Sequence, residues 1–338
     1  MPDFLRKLMD ANGVSGDEAA VRDIIHAEIK KHVDDTEIDG MGNLIAHKKG
    51  SRPRVMLAAH MDEIGMMVKH IDTEGNIYFT LIGGIEPLSL IGQRVSVEGS
   101  KPVKGVITLQ KMSNDESVKN LPTTEEMFID TGMTKSELLE HGVRAGSYIN
   151  LVQESGHLSK NRLVYGKALD DRIGCYILVE LAKRLKKSKA EIFFVFTVQE
   201  EIGMYGSKAS AYQVKPDWAI AVDAIGANDK GDQKFSAIGK GPCITMKDAG
   251  MITNRCINDW LMDIAKGRKI PLQVDVNDRG VTDALSISLS RGGIPATVLS
   301  VAVRNIHSTI GIASVDDIEN AVKLLEALMQ NPPKKCGV

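Results

Sequence analysis

FVFTVQEEIGM, residues Phe194–Met204, joins an apolar run to two adjacent carboxylates. Ile192–Val198 has the length and the β-branched and aromatic content of a buried strand. Glu200 and Glu201 stand just past its end. Neighbouring carboxylates there repel each other and resist leaving water unless a cation is close by. The plainer alternative is a strand that has ended and two solvated loop acids. The rest of the chain decides between these.

Around this strand, strand and helix patterns alternate. "LVYG" leads to a helix over Arg172–Lys186. Beyond Val198 come a helix near Ser207, a strand over Trp218–Val222 and a helix near Asn258–Lys266. A strand over Leu272–Val276, a helix over Thr282–Ser290, a strand over Thr297–Val303 and a helix from about Val315 complete the series. Such alternation predicts an α/β sheet covered by helices on both faces. The start of the chain fits the same domain. Ser15 and Glu18 read as a capping box, Val21, Ile24, Ile25 and Ile29 follow at helical spacing, and "NLIAHKKG" and "RVMLAAHMD" read as strands. Residues 63–162 differ. They are Gly-rich and β-dominated, with a hairpin turning at Glu74-Gly75-Asn76. The expected organisation is an α/β domain of residues 1–62 plus 163–338 with a β-rich domain of residues 63–162 inserted.

The 338 residues are 43% hydrophobic and 25% charged, with a formal charge of −2. That balance leaves no basic footprint for nucleic acid. No apolar run is long enough for a membrane span, and "MPDFLRKLMD" lacks the form of a secretory signal. Cys175, Cys243, Cys256 and Cys336 are scattered without CxxC spacing. This excludes both a disulfide framework and a thiolate zinc site and fits a reducing cytoplasm. The tail "NPPKKCGV" is expected to fray.

Four segments place an acid or histidine directly after an apolar run: "VMLAAHMDEIG" (His60, Asp62), "VYGKALDDRIG" (Asp170, Asp171), "FTVQEEIG" (Glu200, Glu201) and "AIAVDAIG" (Asp223). "VLSVAVRNIHS" carries His307 a few residues past its run. Singly, each has a modest explanation: a helix cap at Asp170-Asp171, a turn former at Asp223, a chance histidine. Jointly they point to one cleft, because ligands gather beyond the carboxyl ends of strands in open α/β sheets. Two imidazoles and several carboxylates meeting there need cations, and nitrogen and oxygen donors without thiolate suit zinc, cobalt or manganese. His60 and Asp62 share one face of an extended segment, as a metal-binding imidazole and the carboxylate behind it would.

The chain resembles the M42 family of metallo-aminopeptidases, the glutamyl aminopeptidase and tetrahedral (TET) aminopeptidase group. The resemblance runs nearly end to end through "GVSGDE", "GNLIAHKKG", "AAHMDEIGMMV", "IGG", "ALDDRIG", "VQEEIGMYGS", "VTDA" and "RNIHS". It implies a three-layer α/β/α zinc-peptidase domain with an inserted small β-barrel, PDZ-like, used for dimerisation. It also implies dimers that assemble into a dodecamer, and hydrolysis of N-terminal residues from short peptides. By the same resemblance two divalent ions, Zn2+ or Co2+ with Mn2+ compatible, are bridged by Asp170. His60 and Asp223 complete one site, Glu201 and His307 the other. Glu200 is the general base acting on a metal-bridging water, Asp62 is the carboxylate behind His60, and Asp171 and Arg172 are structural.

Departures from the family pattern lie away from these ligands. They are Gly280-Val281 before Thr282-Asp283 in place of a Gly-Gly pair, Arg304-Asn305 in place of Arg-Tyr, Gly311 in place of an acid, and "LQKMSN" in place of a Pro-Pro-His element. Two other readings share the residues. One is a carboxypeptidase or deacylase on the same metal centre. The other is a non-catalytic shell subunit, which the retention of Glu200 and of every ligand disfavours.

Overall fold

In the computed structural model, residues 1–113, 120–160, 162–230, 236–333 and 336 are described. The strands in chain order are β1 (Asp35–Ile38), β2 (Leu44–Lys48), β3 (Ser51–His60), β4 (Gly65–Ile71), β5 (Ile77–Ile82) and β6 (Arg94–Val97). They continue with β7 (Val103–Leu109), β8 (Met127–Asp130), β9 (Tyr148–Leu151), β10 (Gly156–Leu158), β11 (Leu163–Gly166) and β12 (Ala190–Thr197). Last come β13 (Trp218–Gly226), β14 (Cys243–Lys247), β15 (Gln273–Val276), β16 (Ala296–Arg304) and β17 (Gly311–Ser314).

The large sheet runs β1-β2-β12-β3-β13-β16-β17-β11-β10, with β14 and β15 attached beside β16. Its centre, β12-β3-β13-β16, is parallel. Alternation along these strands builds two cores, because successive side chains leave a strand on opposite faces. Phe194, Phe196, Leu57, Ala59, Ile220 and Leu299 pack on one face, under helices Leu169–Arg184 and Val315–Gln330. Their neighbours Phe193, Val195, Met56, Ala58, Ala219 and Val298 pack on the other, under helices Tyr205–Val214 and Asp283–Ser288. The result is the expected α/β/α sandwich. Strands β4-β5-β8-β7-β6-β9 close a separate barrel filled by Met66, Phe79, Val95, Ile107 and Ile149.

Several details depart from the sequence reading. β10 lies at the edge of the large sheet, so the chain re-enters that sheet before residue 162, the boundary expected for the insertion. The Ser15–Glu18 capping box does not form. The helix starts at Ala19 with no side-chain cap, because Ser15 Oγ donates to Asp62 instead, at 2.6 Å. The cysteines are not all free: Cys256 and Cys336 are disulfide-bonded, while Cys175 and Cys243 are buried thiols. Fold brings the pair together across 80 residues of sequence, a closeness that spacing could not reveal. The tail is therefore held at Cys336, and again at Pro333, whose carbonyl accepts Trp218 Nε1–H at 3.1 Å. Lys334, Lys335, Gly337 and Val338 of that tail, and Asn114 of "LQKMSN", lie outside the described residues. No helix among the described residues is long and apolar enough to cross a membrane.

Candidate metal centre

β3 and β13 pair only over Val55–Ala58 with Trp218–Ala221. Beyond that register the two strands no longer bond to each other, and the gap opens where His60 ends β3 and Asp223 continues β13. Asp223 thus lies inside a strand that runs on to Gly226, past the Val222 end expected for it.

All seven residues singled out as ligands or catalytic groups meet here. His60 Nε2 lies 3.1 Å from Asp170 Oδ1 and 3.6 Å from Asp223 Oδ1. His307 Nε2 lies 3.5 Å from Asp170 Oδ2 and 3.7 Å from Glu201 Oε2. Two groups of possible ligands result: His60, Asp170 and Asp223, and Asp170, Glu201 and His307, the donor atoms of each within 4.8 Å of one another. Asp170 belongs to both, one carboxylate oxygen facing each histidine. Glu200 belongs to neither and lines the cleft beside them.

The surrounding hydrogen bonds fix these directions. His60 Nδ1 donates to the Asp62 carbonyl at 3.1 Å, with the Asp62 carboxylate 3.5 Å away. This sets the tautomer and leaves Nε2 free as a donor to a cation. The Asp62 carboxylate does more than back the imidazole: it accepts the N–H groups of Glu200 and Glu201. Asp171 accepts N–H of Gly174 and of His60, and buried Arg172 donates to Met61 carbonyl at 2.8 Å, so both serve the scaffold. Ala168, Gln199 and His307 all sit in the left-handed region at φ +53°, +56° and +56°. That conformation costs a non-glycine residue about 1 kcal/mol or more. Gly83 and Gly84, arriving from β5, close the site. A Cβ at Gly83 would stand 3.1 Å from Glu201 Oε2, and one at Gly84 would stand 3.2 Å from His307 Nδ1.

Electrostatics gives the fit test for metal. Burial, aided by Asp170, pushes the Glu201 carboxyl up to about 8. Burial raises Glu200 well above the usual carboxylate range and raises Asp223 as well. Against its burial, the bonds from His307 and His60 hold Asp170 well below that range. His307, bonded to Asp170, is raised to about 9. His60 is raised too, since Asp170, Asp223 and Asp62 outweigh its burial. The cluster therefore satisfies its charge with protons when no other cation is present. Nitrogen and oxygen donors so arranged fit a divalent ion of the zinc, cobalt or manganese type.

The centre opens into a cleft of about 1200 Å3. Ser15, the residue that ties the N-terminal segment to Asp62, was missed as part of the site because its spacing to Glu18 offered a simpler local role. Asp283 was noted only within "VTDA". Its Oδ2 accepts Thr197 Oγ–H at 2.5 Å, and burial raises its carboxyl to about 6.

The model of the M42 glutamyl aminopeptidase family matches residues 42–324. The chain is 36% identical to a lysyl aminopeptidase of Pyrococcus furiosus, over 97% of this chain and 96% of that one. Among solved structures it is similar to a TET aminopeptidase of a marine-sediment Thaumarchaeota archaeon, with a TM-score of 0.94 and 33% identity over 98% of this chain and 96% of that one. It is also similar to the TET1 peptidase of Pyrococcus horikoshii, described as assembling into a tetrahedron or a large octahedral shell. There the TM-score is 0.87 and the identity 32%, over 97% of this chain and 99% of that one.

Proposed function

This chain belongs to the M42 glutamyl aminopeptidase family and is a peptide hydrolase; from that premise we propose that it removes N-terminal residues from short peptides at a centre of two divalent cations. The observation that carries this reading is the pair of ligand groups sharing Asp170, with Glu200 in neither. His60, Asp170 and Asp223 would hold one ion, and Asp170, Glu201 and His307 the other. Zn2+ or Co2+ suits these donors, and Mn2+ is compatible.

When bound, such ions polarise a scissile carbonyl and make a nearby water more acidic. The chain's own part falls to Glu200. Its carboxylate takes the proton of the attacking water and returns it to the departing amine. Its position supports this role, since Glu200 lines the cleft beside both ligand groups without belonging to either. Its neighbour Glu201 binds metal, so two adjacent acids have different tasks because Asp62 fixes their backbone and aims them apart.

The decisive experiment offers the metal-loaded protein matched peptides with free and with acetylated amino ends. Release of the first residue from free ends alone is expected. Cleavage of the acetylated series, or release from the carboxyl end, would transfer the same centre to deacylase or carboxypeptidase chemistry.

The barrel, residues 63–162 in the sequence division, would serve dimerisation, and the dimers would build a dodecamer. The similarity to a TET1 peptidase that assembles into a tetrahedron supports this. Light scattering of purified protein checks it. A cytoplasmic setting belongs to the same reading, and there the Cys256–Cys336 bond would face reducing conditions.

A further inference from the structure

The turn after β12 carries Glu200, and side chains hold its backbone one amide after another. Val198 N–H donates to Asn43 Oδ1 at 2.9 Å and Gln199 N–H to Glu18 Oε1 at 3.1 Å. The N–H groups of Glu200 and Glu201 donate to the Asp62 carboxylate at 3.0 and 3.1 Å. All three acceptors are buried: Asn43 and Asp62 are 0% exposed and Glu18 5%. Asn43 directly precedes β2 and Asp62 follows β3, the two strands that flank β12 in the sheet. Glu18 alone reaches the turn from outside the sheet.

Glu18 stands at the N-cap of the helix Ala19–Ile29, where a side-chain acceptor ordinarily satisfies the first helical amides. It makes no such bond. Its Oε1 accepts instead the N–H of Gly16, at 2.7 Å, and that of Gln199. Burying a carboxylate is costly, and the bonds that offset the cost here serve the turn and not the helix. Gln199 is the residue of the turn that needs support. Its φ of +56° lies in the left-handed region, which disfavours a residue with a Cβ. It directly precedes Glu200, so its backbone angles set the direction in which the Glu200 side chain leaves the chain. The segment bearing Glu18 is itself anchored. Gly13 N–H donates to Glu63 Oε1 at 3.2 Å and Ser15 Oγ–H to Asp62 at 2.6 Å. A Cβ at Gly16 would stand 2.5 Å from Tyr148 Oη, so the segment runs against β9 of the barrel.

We propose that Glu18 is a positioning residue for the reaction: through Gln199 it holds the backbone from which Glu200 reaches the attacking water. Glu18 does not line the cleft, so it acts through the turn and not on the substrate. This inference rests on the aminopeptidase reading above, with Glu200 as its base.

The test compares Glu18→Ala and Glu18→Gln in full-length, metal-loaded protein acting on free-ended peptides. Glu18→Ala removes the acceptor. Its kcat is expected to fall by about ten- to a hundredfold, the effect of misplacing a reacting group by about an ångström. KM should stay within about threefold and metal content should not change. Glu18→Gln keeps an oxygen for both amides and should recover most of the rate. A general structural loss would lower the melting temperature and the metal content, and would not be confined to kcat. Because Glu18→Ala could fail to fold, hydrogen exchange in the unaltered protein gives an independent readout. The amides of residues 199–201 are expected to exchange as slowly as those of β12. An unchanged kcat in Glu18→Ala, equal losses in both variants, or exchange at the rate of an open loop overturns the proposal while the aminopeptidase reading stands. If the unaltered, metal-loaded protein releases nothing from free-ended peptides, the aminopeptidase reading falls and this inference with it.

Discussion

One oxygen of Asp62 accepts the backbone N–H of Glu200 at 3.0 Å, and its other oxygen accepts that of Glu201 at 3.1 Å and the hydroxyl of Ser15 at 2.6 Å. Burial opposes the charge on Asp62, but His60, Ser15 and the Glu200 N–H together keep its carboxyl below the usual range. A single buried carboxylate thereby sets the imidazole of one candidate ligand group, an acid of the other and Glu200, the proposed base. Asp62→Asn replaces one acceptor with a donor that must face an N–H or a hydroxyl. It should lower kcat/KM and metal retention by about ten- to a hundredfold each, the usual effect of losing an outer partner of a metal ligand. Metal analysis after dialysis and steady-state kinetics read the two effects. Unchanged values would reduce Asp62 to a packing residue.

Glu200→Gln separates base from ligand. Glu200 lies outside both ligand groups, so the variant should keep its metal content and melting temperature while kcat falls more than about a hundredfold. Glu201→Gln should lose metal as well as rate. Equal metal loss in both variants would show that the two acids do not divide their tasks as assigned.

The centre was legible because His60, Asp170, Glu201, Asp223 and His307 each follow an apolar run, and a parallel sheet turns that local feature into convergence at one edge. Layer structure was legible for a similar reason: alternation in "FFVF" already assigns Phe193 and Phe194 to opposite faces. What stayed hidden depends on distant partners. Ser15 looked like a cap because Glu18 is three residues away, yet Asp62 makes the stronger claim on it. Glu18 itself accepts N–H of Gly16 and of Gln199.

Metal loading should release protons at neutral pH. Without metal, Glu201 titrates at about 8 and His307 at about 9, both raised, so both hold protons at pH 7. A bound cation requires the deprotonated forms. Affinity should therefore climb as pH rises toward about 9 and weaken steadily as pH falls. Calorimetric titration with Zn2+ at pH 7, in two buffers of different ionisation enthalpy, counts the protons. A count near zero would mean that the ions bind elsewhere.

Arg172 supplies a stability prediction distinct from catalysis. Fully buried, it donates to the carbonyls of Met61 at 2.8 Å and Ala11 at 3.1 Å, to that of Leu8, and to Glu63 Oε1 at 3.3 Å. Glu63 also holds the buried ammonium of Lys167 at 2.6 Å. The guanidinium thus ties the first helix and the segment after it to the exit of β3, between His60 and Asp62. Arg172→Leu would strand several buried carbonyls and leave Glu63 with one cation fewer, at a cost of about 3–5 kcal/mol. Arg172→Lys keeps the charge but cannot reproduce the planar fork, so it should recover only part of this. Urea unfolding monitored by tryptophan fluorescence reports the difference, since Trp218 is buried in the same core. A loss below about 1 kcal/mol for Arg172→Leu would place Arg172 among surface ion pairs in energetic terms, which its burial and its carbonyl partners contradict.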